Sequence, residues 1–183
     1  DKKLDSYMAA KAARGQVPHL LIDRFRFDSF TPLAKKTAEG NLLSRFGDQV
    51  FMFFMITPPA ETVERAWKRG QKTGRFKAVD DLLFHNIEAY TGMPQLFLSW
   101  VNKTQQRVHF EFLDNDVPLG ERPRTVAFGW NGEVTILDPE AMRQMNRYQH
   151  VNIDARAAAD VLLPTEPTDD ILADCIRHVP QVT

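Results

Sequence analysis

The sequence predicts an α/β fold in which helices flank a parallel β-sheet and a β-hairpin is added near residues 125–137. The apolar run from Val50 to Ile56 is too short to span a membrane and indicates a strand buried on both faces. The dipeptide Asn131-Gly132 between two alternating segments is the preferred two-residue turn of a β-hairpin. With 183 residues and 43% apolar content, residues 1–183 can form one domain with its own core.

Before this central strand, the pattern predicts a helix and then a short strand. The helix covers Lys2 to Arg14 and stops at Gly15. The strand covers residues 18–23 (PHLLID) and ends in a carboxylate, Asp23. Ligands of open parallel sheets bind beyond the carboxyl ends of the strands, so Asp23 is a candidate site residue. The alternative is structural, because aspartates often begin the turn after a strand.

The next segment, RFRFDSF, alternates cationic and aromatic residues. Arg24 and Arg26 beside an acid have the chemistry to bind a phosphate, and the same alternation fits an amphipathic strand with its phenylalanines inward. Thr31-Pro32 then predicts the start of a helix that runs to about Arg45.

After the central strand, the sequence predicts a helix over about 60–68 and a glycine-punctuated basic loop over 70–77 (GQKTGRFK). Arg65 and Arg69 are four residues apart and therefore share one helix face. Together with Arg75 in the loop, they would bring mobile guanidinium groups to a phosphate. The alternative is an ordinary solvated loop, with the helix arginines in weak surface pairs with glutamates.

The second half of the chain is predicted to alternate helices with an antiparallel extension. A helix over 79–91 is expected to end at Gly92, with a further helix over 93–101. A strand over 107–113 ends in the polar run Asp114-Asn115-Asp116. The remaining expectations are the hairpin, a helix capped by Asp138 that runs to about Tyr148, an edge strand over 151–153, and terminal helices over 154–162 and 168–178.

Composition excludes several classes of function. A net charge of −1 gives no global attraction to nucleic acid or anionic lipid, so an anion site has to be local. Cys175 is the one cysteine, which excludes an internal disulfide and gives no zinc spacing. No membrane-spanning run, signal peptide or GxSxG motif occurs, so a cytoplasmic protein is expected and a serine hydrolase is unsupported. RNA binding through RFRF and KRGQKTGRFK is permitted by composition, but the net charge argues against it.

Several motifs follow one another in a particular order. LLID precedes a polar aromatic segment and PLAKKTAEG, the central strand precedes TPPAETVERAWKR, and FLDND precedes RTVAFGWNGEVTILD. This order, over roughly residues 16–137, resembles the zeta-toxin-like family of P-loop kinases. The resemblance implies that the chain is the C-terminal part of a P-loop kinase-like domain. Its lid would cover about 65–78, a hairpin extension about 107–137, and terminal helices 139–178.

The resemblance also implies roles for individual residues. Arg69 and Arg75 match the lid arginines that contact phosphates, and Arg65 is one turn earlier and able to share that role. Asp23 matches the acid beside the phosphates and would hold Mg²⁺ through water or orient the acceptor. The acceptor would contact Arg24, Arg26, Asn115 and Asp116. The implied cofactors are ATP and Mg²⁺. Two positions differ from the family pattern: Asp116 stands where a serine is usual, and the lid signature reads TGRFK.

No GxxxxGK[ST] motif occurs in the sequence, so nothing in it can surround the β- and γ-phosphates with backbone N–H groups. A missing N-terminal P-loop fragment is therefore an expected partner, and the start at Asp1 suggests a trimmed chain. The resemblance implies phosphoryl transfer from ATP to a hydroxyl of a nucleotide-sugar or dinucleotide. It also implies an antitoxin or chaperone partner and, as an alternative location, delivery into a host cell as an effector. The alternative function is a non-catalytic nucleotide- or protein-binding module derived from a kinase.

Overall fold

The computed structural model describes residues 2–23, 49–102, 106–164 and 170–183. Within these ranges the α-helices are α1 (Lys2–Ala12), α2 (Pro59–Thr73), α3 (Val79–Val101), α4 (Pro139–Arg147) and α5 (Asp170–His178). The strands are β1 (Gln49–Ile56), β2 (Arg107–Asp114), β3 (Arg124–Trp130), β4 (Glu133–Ile136) and β5 (Gln181–Val182). Arg24, Arg26 and the helix predicted to begin at Thr31 lie outside the described residues.

The described strands form one mixed sheet in the order β1-β2-β3-β4-β5. β1 pairs with β2 in parallel, and α2 and α3 make the crossover that such a pair requires. β2, β3 and β4 are antiparallel neighbours, and β4 pairs with β5 in parallel. The α/β class is therefore confirmed, with a mixed sheet in place of the parallel one predicted. The Asn131-Gly132 hairpin is also confirmed, and Gly132 adopts a φ of 73° in its turn.

β1 is buried on one face rather than on both. Its inward residues pack with those of β2 and with α3, α4 and α5 in one core, listed here by the largest side chains: Phe54, Phe97, Trp100, Phe112, Met142, Met145 and Ile171. Phe51, Phe53 and Met55 point the other way and are exposed. The prediction of two-sided burial was wrong, because the described helices that pack on the sheet share this single core.

The crossover helices are longer than predicted. α2 continues to Thr73 and ends at Gly74, which has a φ of 71° and donates its N–H to the Gly70 carbonyl at 2.8 Å. Gly70 thus lies inside the helix and is buried, so the predicted loop over 70–77 is a shorter turn. α3 is one continuous helix although it contains Gly92 and Pro94, because burial of its apolar face outweighs the local breaking signals.

The C-terminal half follows its local signals only in part. Asp138 caps α4 by accepting a hydrogen bond from the Ala141 N–H at 3.0 Å, as predicted. Val151 forms an isolated bridge to Leu162 rather than a sheet strand. The helix predicted over 154–162 is reduced to a 3₁₀ turn, because Asn152 bonds the Asp154 N–H and competes with helical bonding. None of the helices in the described ranges combines the length and apolar character needed to cross a bilayer.

Candidate functional site

The parallel strands β1 and β2 end side by side, with Ile56 opposite Asp114 in the register. The Asn115 N–H donates to the Ile56 carbonyl at 2.7 Å, and its side-chain amide donates to Thr57 Oγ1 at 3.2 Å. The Tyr90 hydroxyl donates to the Thr57 carbonyl at 2.8 Å and accepts from the Thr57 N–H at 2.7 Å. Burial raises the pKa of Tyr90, so the phenol keeps its proton. The carboxyl edge of the parallel pair is therefore a hydrogen-bonded, rigid platform.

Arg65 ties α2 to the chain that leaves this edge. One of its terminal nitrogens donates to the Asn115 carbonyl at 2.8 Å and to the Val117 carbonyl at 3.1 Å. Its Nε donates to Glu61 Oε1 at 2.8 Å. The structure thus brings two predicted site residues, Arg65 and Asn115, into direct contact. These contacts anchor α2 within the protein, and the substrate contact predicted for Arg65 stays a prediction.

Arg69 and Arg75 lie further along the same helical hairpin. Arg69 follows Arg65 by one turn, roughly 6 Å along the axis, and lies on the same face of α2. Both Arg69 and Arg75 are exposed, and neither forms an ion pair with a residue in the described ranges. By contrast, Lys68 is paired with Glu64 at 3.2 Å. We call residues 67–77 the hairpin tip, and its cations are Lys68, Arg69, Lys72, Arg75 and Lys77.

Asp23 does not lie where the sequence predicts. Residues 18–23 form no strand: Leu21 is 97% exposed, and Ile22 packs against the core without pairing with a described strand. Asp23 is exposed, and no ion pair joins it to Arg69 or Arg75 among the described residues. No group of three or more His, Cys, Asp or Glu in the described ranges could hold a metal ion. Mg²⁺ in phosphoryl-transfer sites is usually held by one or two carboxylates together with substrate phosphates, so the Mg²⁺ role of Asp23 stays a prediction.

A small cavity of about 210 Å³ opens beside the same sheet edge. It is lined by Ile56, Asp114, Asp116, Arg124, Asp138, Glu140, Ala141, Gln144 and Tyr148. Asp114 is buried and paired with Arg124, and its Oδ1 also accepts the Asp116 N–H at 2.9 Å. This carboxylate raises the pKa of Arg124, while burial and the charges of Asp116 and Asp114 raise the pKa of Tyr148 to about 12. Asp116 is exposed at the rim.

The sequence analysis missed Arg124 and Tyr148 as residues of this edge. Arg124 meets Asp114 only because the antiparallel register of β2 and β3 sets the two residues opposite each other. Tyr148 arrives from the end of α4 and packs its ring on Tyr90 at 5.4 Å between centroids. The available signal was the polar end of FLDND, which marks Asp114 but not its partner.

A scan against protein-family models matched none of them, and searches of curated proteins and of solved structures found no similar chain. The zeta-toxin-like resemblance therefore stays a prediction.

Proposed function

We propose that this chain is the lid-bearing part of an ATP-dependent phosphotransferase that acts on a hydroxyl of a nucleotide-sugar or dinucleotide. The observation that carries the proposal is a pair of exposed arginines, Arg69 and Arg75, on a helical hairpin that begins at the carboxyl end of a parallel strand. Neither arginine forms an ion pair with another described residue. That end of a parallel strand is where α/β folds bind ligands.

The absence of ion pairs matters for this chemistry. In phosphoryl transfer, negative charge is spread over the phosphoryl oxygens, so catalysis depends on positioning and on preorganised positive charge. A cation already paired with a carboxylate has less charge available for a phosphate, and Lys68 is paired in this way with Glu64. Neither the Arg69 nor the Arg75 guanidinium has a partner in the described part of the chain, which leaves their donors available for phosphate oxygens.

Arg65 contributes by fixing the position of α2. Its bonds to the carbonyls of Asn115 and Val117 hold the helix against the chain that leaves β2. The next arginine on the same face, Arg69, then extends beyond that contact toward solvent. A free charge on an anchored helix is preorganised, because its backbone does not have to be ordered when a phosphate binds.

Phosphoryl transfer also needs a group that binds the β- and γ-phosphates, and these 183 residues contain no GxxxxGK[ST] motif. The proposal places that loop outside this sequence. ATP supplies the phosphoryl group when bound, and the hydroxyl of the acceptor displaces ADP from it. No step is assigned to Asp23 or to Arg65.

The second candidate is a non-catalytic binding module derived from a kinase. Its support is the exposed outer row of β1, where Phe51 and Phe53 are each 59% exposed and Met55 is 40% exposed. Apolar side chains grouped on one sheet face are typical of a surface that contacts another protein segment.

An assay that measures phosphate transfer from γ-labelled ATP to nucleotide-sugar and dinucleotide acceptors distinguishes the two candidate functions. The natural protein that contains this sequence is compared with Arg69→Ala and Arg75→Ala, and with Lys68→Ala as the matched control that removes one paired charge from the same helix. We expect each arginine variant to lose on the order of a thousandfold in kcat/KM, and the control to stay within about twofold.

Equal kcat/KM for phosphate transfer in all variants would refute the proposed role of Arg69 and Arg75. Absence of transfer to every acceptor class, with a folded protein, would favour the binding module.

A further inference from the structure

The hairpin tip carries two exposed aromatic rings in contact with each other. The centroids of Trp67 and Phe76 are 5.1 Å apart, with 52° between the ring planes. The two residues are 55% and 56% exposed, so about half of each residue's surface is open to solvent. Two large aromatic side chains that pack together outside the core are an informative surface feature rather than scattered exposure.

The backbone conformation at two glycines positions this aromatic pair. The turn at Gly74, with its φ of 71°, ends α2, and Phe76 then lies back on that helix at Gly70. A Cβ on Gly70 would lie 2.5 Å from Phe76 Cδ1, so the ring occupies the space that any side chain at this position would need. The position of Phe76 beside Trp67 is therefore set by two glycines.

One cation adjoins the pair along the chain, since Arg75 directly precedes Phe76. Arg69 and Lys72, two and five residues after Trp67 on α2, lie on other faces of the helix. Aromatic rings beside exposed guanidinium and ammonium groups are the combination that binds nucleotides, because the ring stacks on the base while the cation contacts the phosphate. Stacking of this kind tolerates any base and needs an accessible aromatic side chain, and both residues are more than half exposed.

We propose that Trp67 and Phe76 form a stacking site for a nucleobase and that Arg75 contacts a phosphate of the same nucleotide. This rests on the proposed function and deepens it, since it assigns the hairpin tip a ligand that must carry a base as well as phosphates. The ligand class is a nucleotide, either free or at the end of a single-stranded nucleic acid.

Two other partners fit the tip less well. An anionic membrane surface would attract the cations, but Asp80 and Asp81 are exposed at the start of α3 and would oppose it. An apolar protein surface would have to cover several lysines, which are depleted at protein interfaces.

The experiment uses tryptophan fluorescence in a Trp130→Phe background. Trp100 is fully buried, so Trp67 then reports on the hairpin tip. The protein is titrated with AMP, UMP and ATP, with inorganic tripolyphosphate, with a 5′-phosphorylated single-stranded tetranucleotide and with phosphatidylserine vesicles. We expect saturable quenching by the nucleotides and no quenching by tripolyphosphate.

Variants assign the effect to the proposed residues. Trp67→Leu, followed by calorimetric titration, should weaken nucleotide binding about five- to one-hundredfold, as loss of one stacked base does. Phe76→Leu keeps apolar packing on Gly70 and should weaken binding in the same direction, with an unchanged circular dichroism spectrum. Arg75→Ala should also weaken it, and Lys68→Ala should not. Tighter binding of the tetranucleotide than of UMP would identify a nucleic-acid end as the source, and equal binding a free nucleotide.

Quenching by tripolyphosphate equal to that by ATP, equal affinity of Trp67→Leu and the parent protein, or binding to the vesicles alone would each overturn the stacking site. Nucleotide quenching without phosphate transfer would refute the proposed kinase and leave the stacking site standing. Transfer that is unchanged in Trp67→Leu, with no quenching in the parent, would refute the stacking site and leave the kinase standing.

Discussion

Replacement of Arg65 by alanine tests whether this arginine stabilises the fold or is available to bind a ligand. The change removes two hydrogen bonds from a charged group to the carbonyls of Asn115 and Val117, and a third to Glu61. Hydrogen bonds to charged groups contribute about 1.5–3 kcal/mol each when buried, and an i,i+4 ion pair about 0.3–0.5 kcal/mol. The side chain of Arg65 is 33% exposed, which reduces the contribution. We therefore expect Arg65→Ala to lose about 2–3 kcal/mol in the free energy of unfolding.

The assay is urea unfolding together with a thermal scan. For a domain of this size, 1 kcal/mol corresponds to about 2–4 °C, so the unfolding temperature of Arg65→Ala should fall by about 4–12 °C. Arg69→Ala is the matched control, because it removes the same side chain one turn later on the same helix, where no ion pair is lost. It should stay within about 0.5 kcal/mol of the parent protein.

Glu61→Ala separates the ion pair from the carbonyl contacts. It should cost only about 0.3–0.5 kcal/mol, since it leaves both bonds to the chain after β2 in place. Equal stability of Arg65→Ala and the parent protein would refute the anchoring role and return Arg65 to the set of free cations. Equal losses in Arg65→Ala and Arg69→Ala would show that helix propensity, rather than the carbonyl contacts, controls the effect.

Three further perturbations test the fold and its titration. In Gly129→Ala the new Cβ would clash with the backbone carbonyl of Glu133 across the β3–β4 pair. We expect the free energy of unfolding, measured in urea, to fall by about 1–3 kcal/mol. An unchanged midpoint would show that the two strands move apart without a cost in stability. Asp138→Ala removes the cap on the Ala141 N–H and should cost about 1 kcal/mol, whereas Asp138→Asn keeps an acceptor and should cost a few tenths; equal losses would place the effect outside the cap. Burial raises the pKa of the Cys175 thiol from 9.0 to about 11, so the unfolded state loses this proton at a lower pH than the folded state. The free energy of unfolding should therefore fall by about 1.4 kcal/mol per pH unit as pH rises from about 9 to about 11. Unfolding measured from pH 7 to pH 10.5 should show a shallower decline in Cys175→Ala, and identical slopes would contradict the assignment.

Elements whose signals are local could be predicted from the sequence. Asn131-Gly132 determines a turn within two residues, and Asp138 followed by Pro139 determines a helix start within one turn. The alternation of Arg107 to Leu113 was enough to predict β2. In each case the residues that carry the signal are the residues that form the contact.

Elements that depend on distant contacts could not be predicted in this way. Gly92 and Pro94 read as a helix end, yet burial of Phe97 and Trp100 continues α3 through them. The apolar run of β1 indicates burial without saying how many faces are covered, and the described helices that contact the sheet share one core. Residues 18–23 have the composition of a strand but no described strand to pair with.

The same distinction explains the candidate site. Exposure of Arg69 and Arg75 follows from their polar surroundings in the sequence, so their place at the hairpin tip was predictable. The role of Arg65 was not, because its partners are backbone carbonyls 50 and 52 residues away, and a carbonyl has no residue-type signature. The pair of Asp114 and Arg124 likewise depends on the register of two strands.

Arg65 and Arg69 show how one sequence pattern can serve two physical roles. Both are arginines on the same face of α2, and the i,i+4 spacing alone predicts phosphate binding equally for the two residues. The backbone that follows β2 accepts hydrogen bonds from Arg65, so Arg65 anchors the helix. Arg69 forms no ion pair with another described residue, so its charge is available to a ligand. The anchor reduces the freedom of the helix, which lowers the entropic cost for Arg69 to meet an anion. The anion site proposed at the hairpin tip would therefore depend on Arg65, which fixes the position of α2.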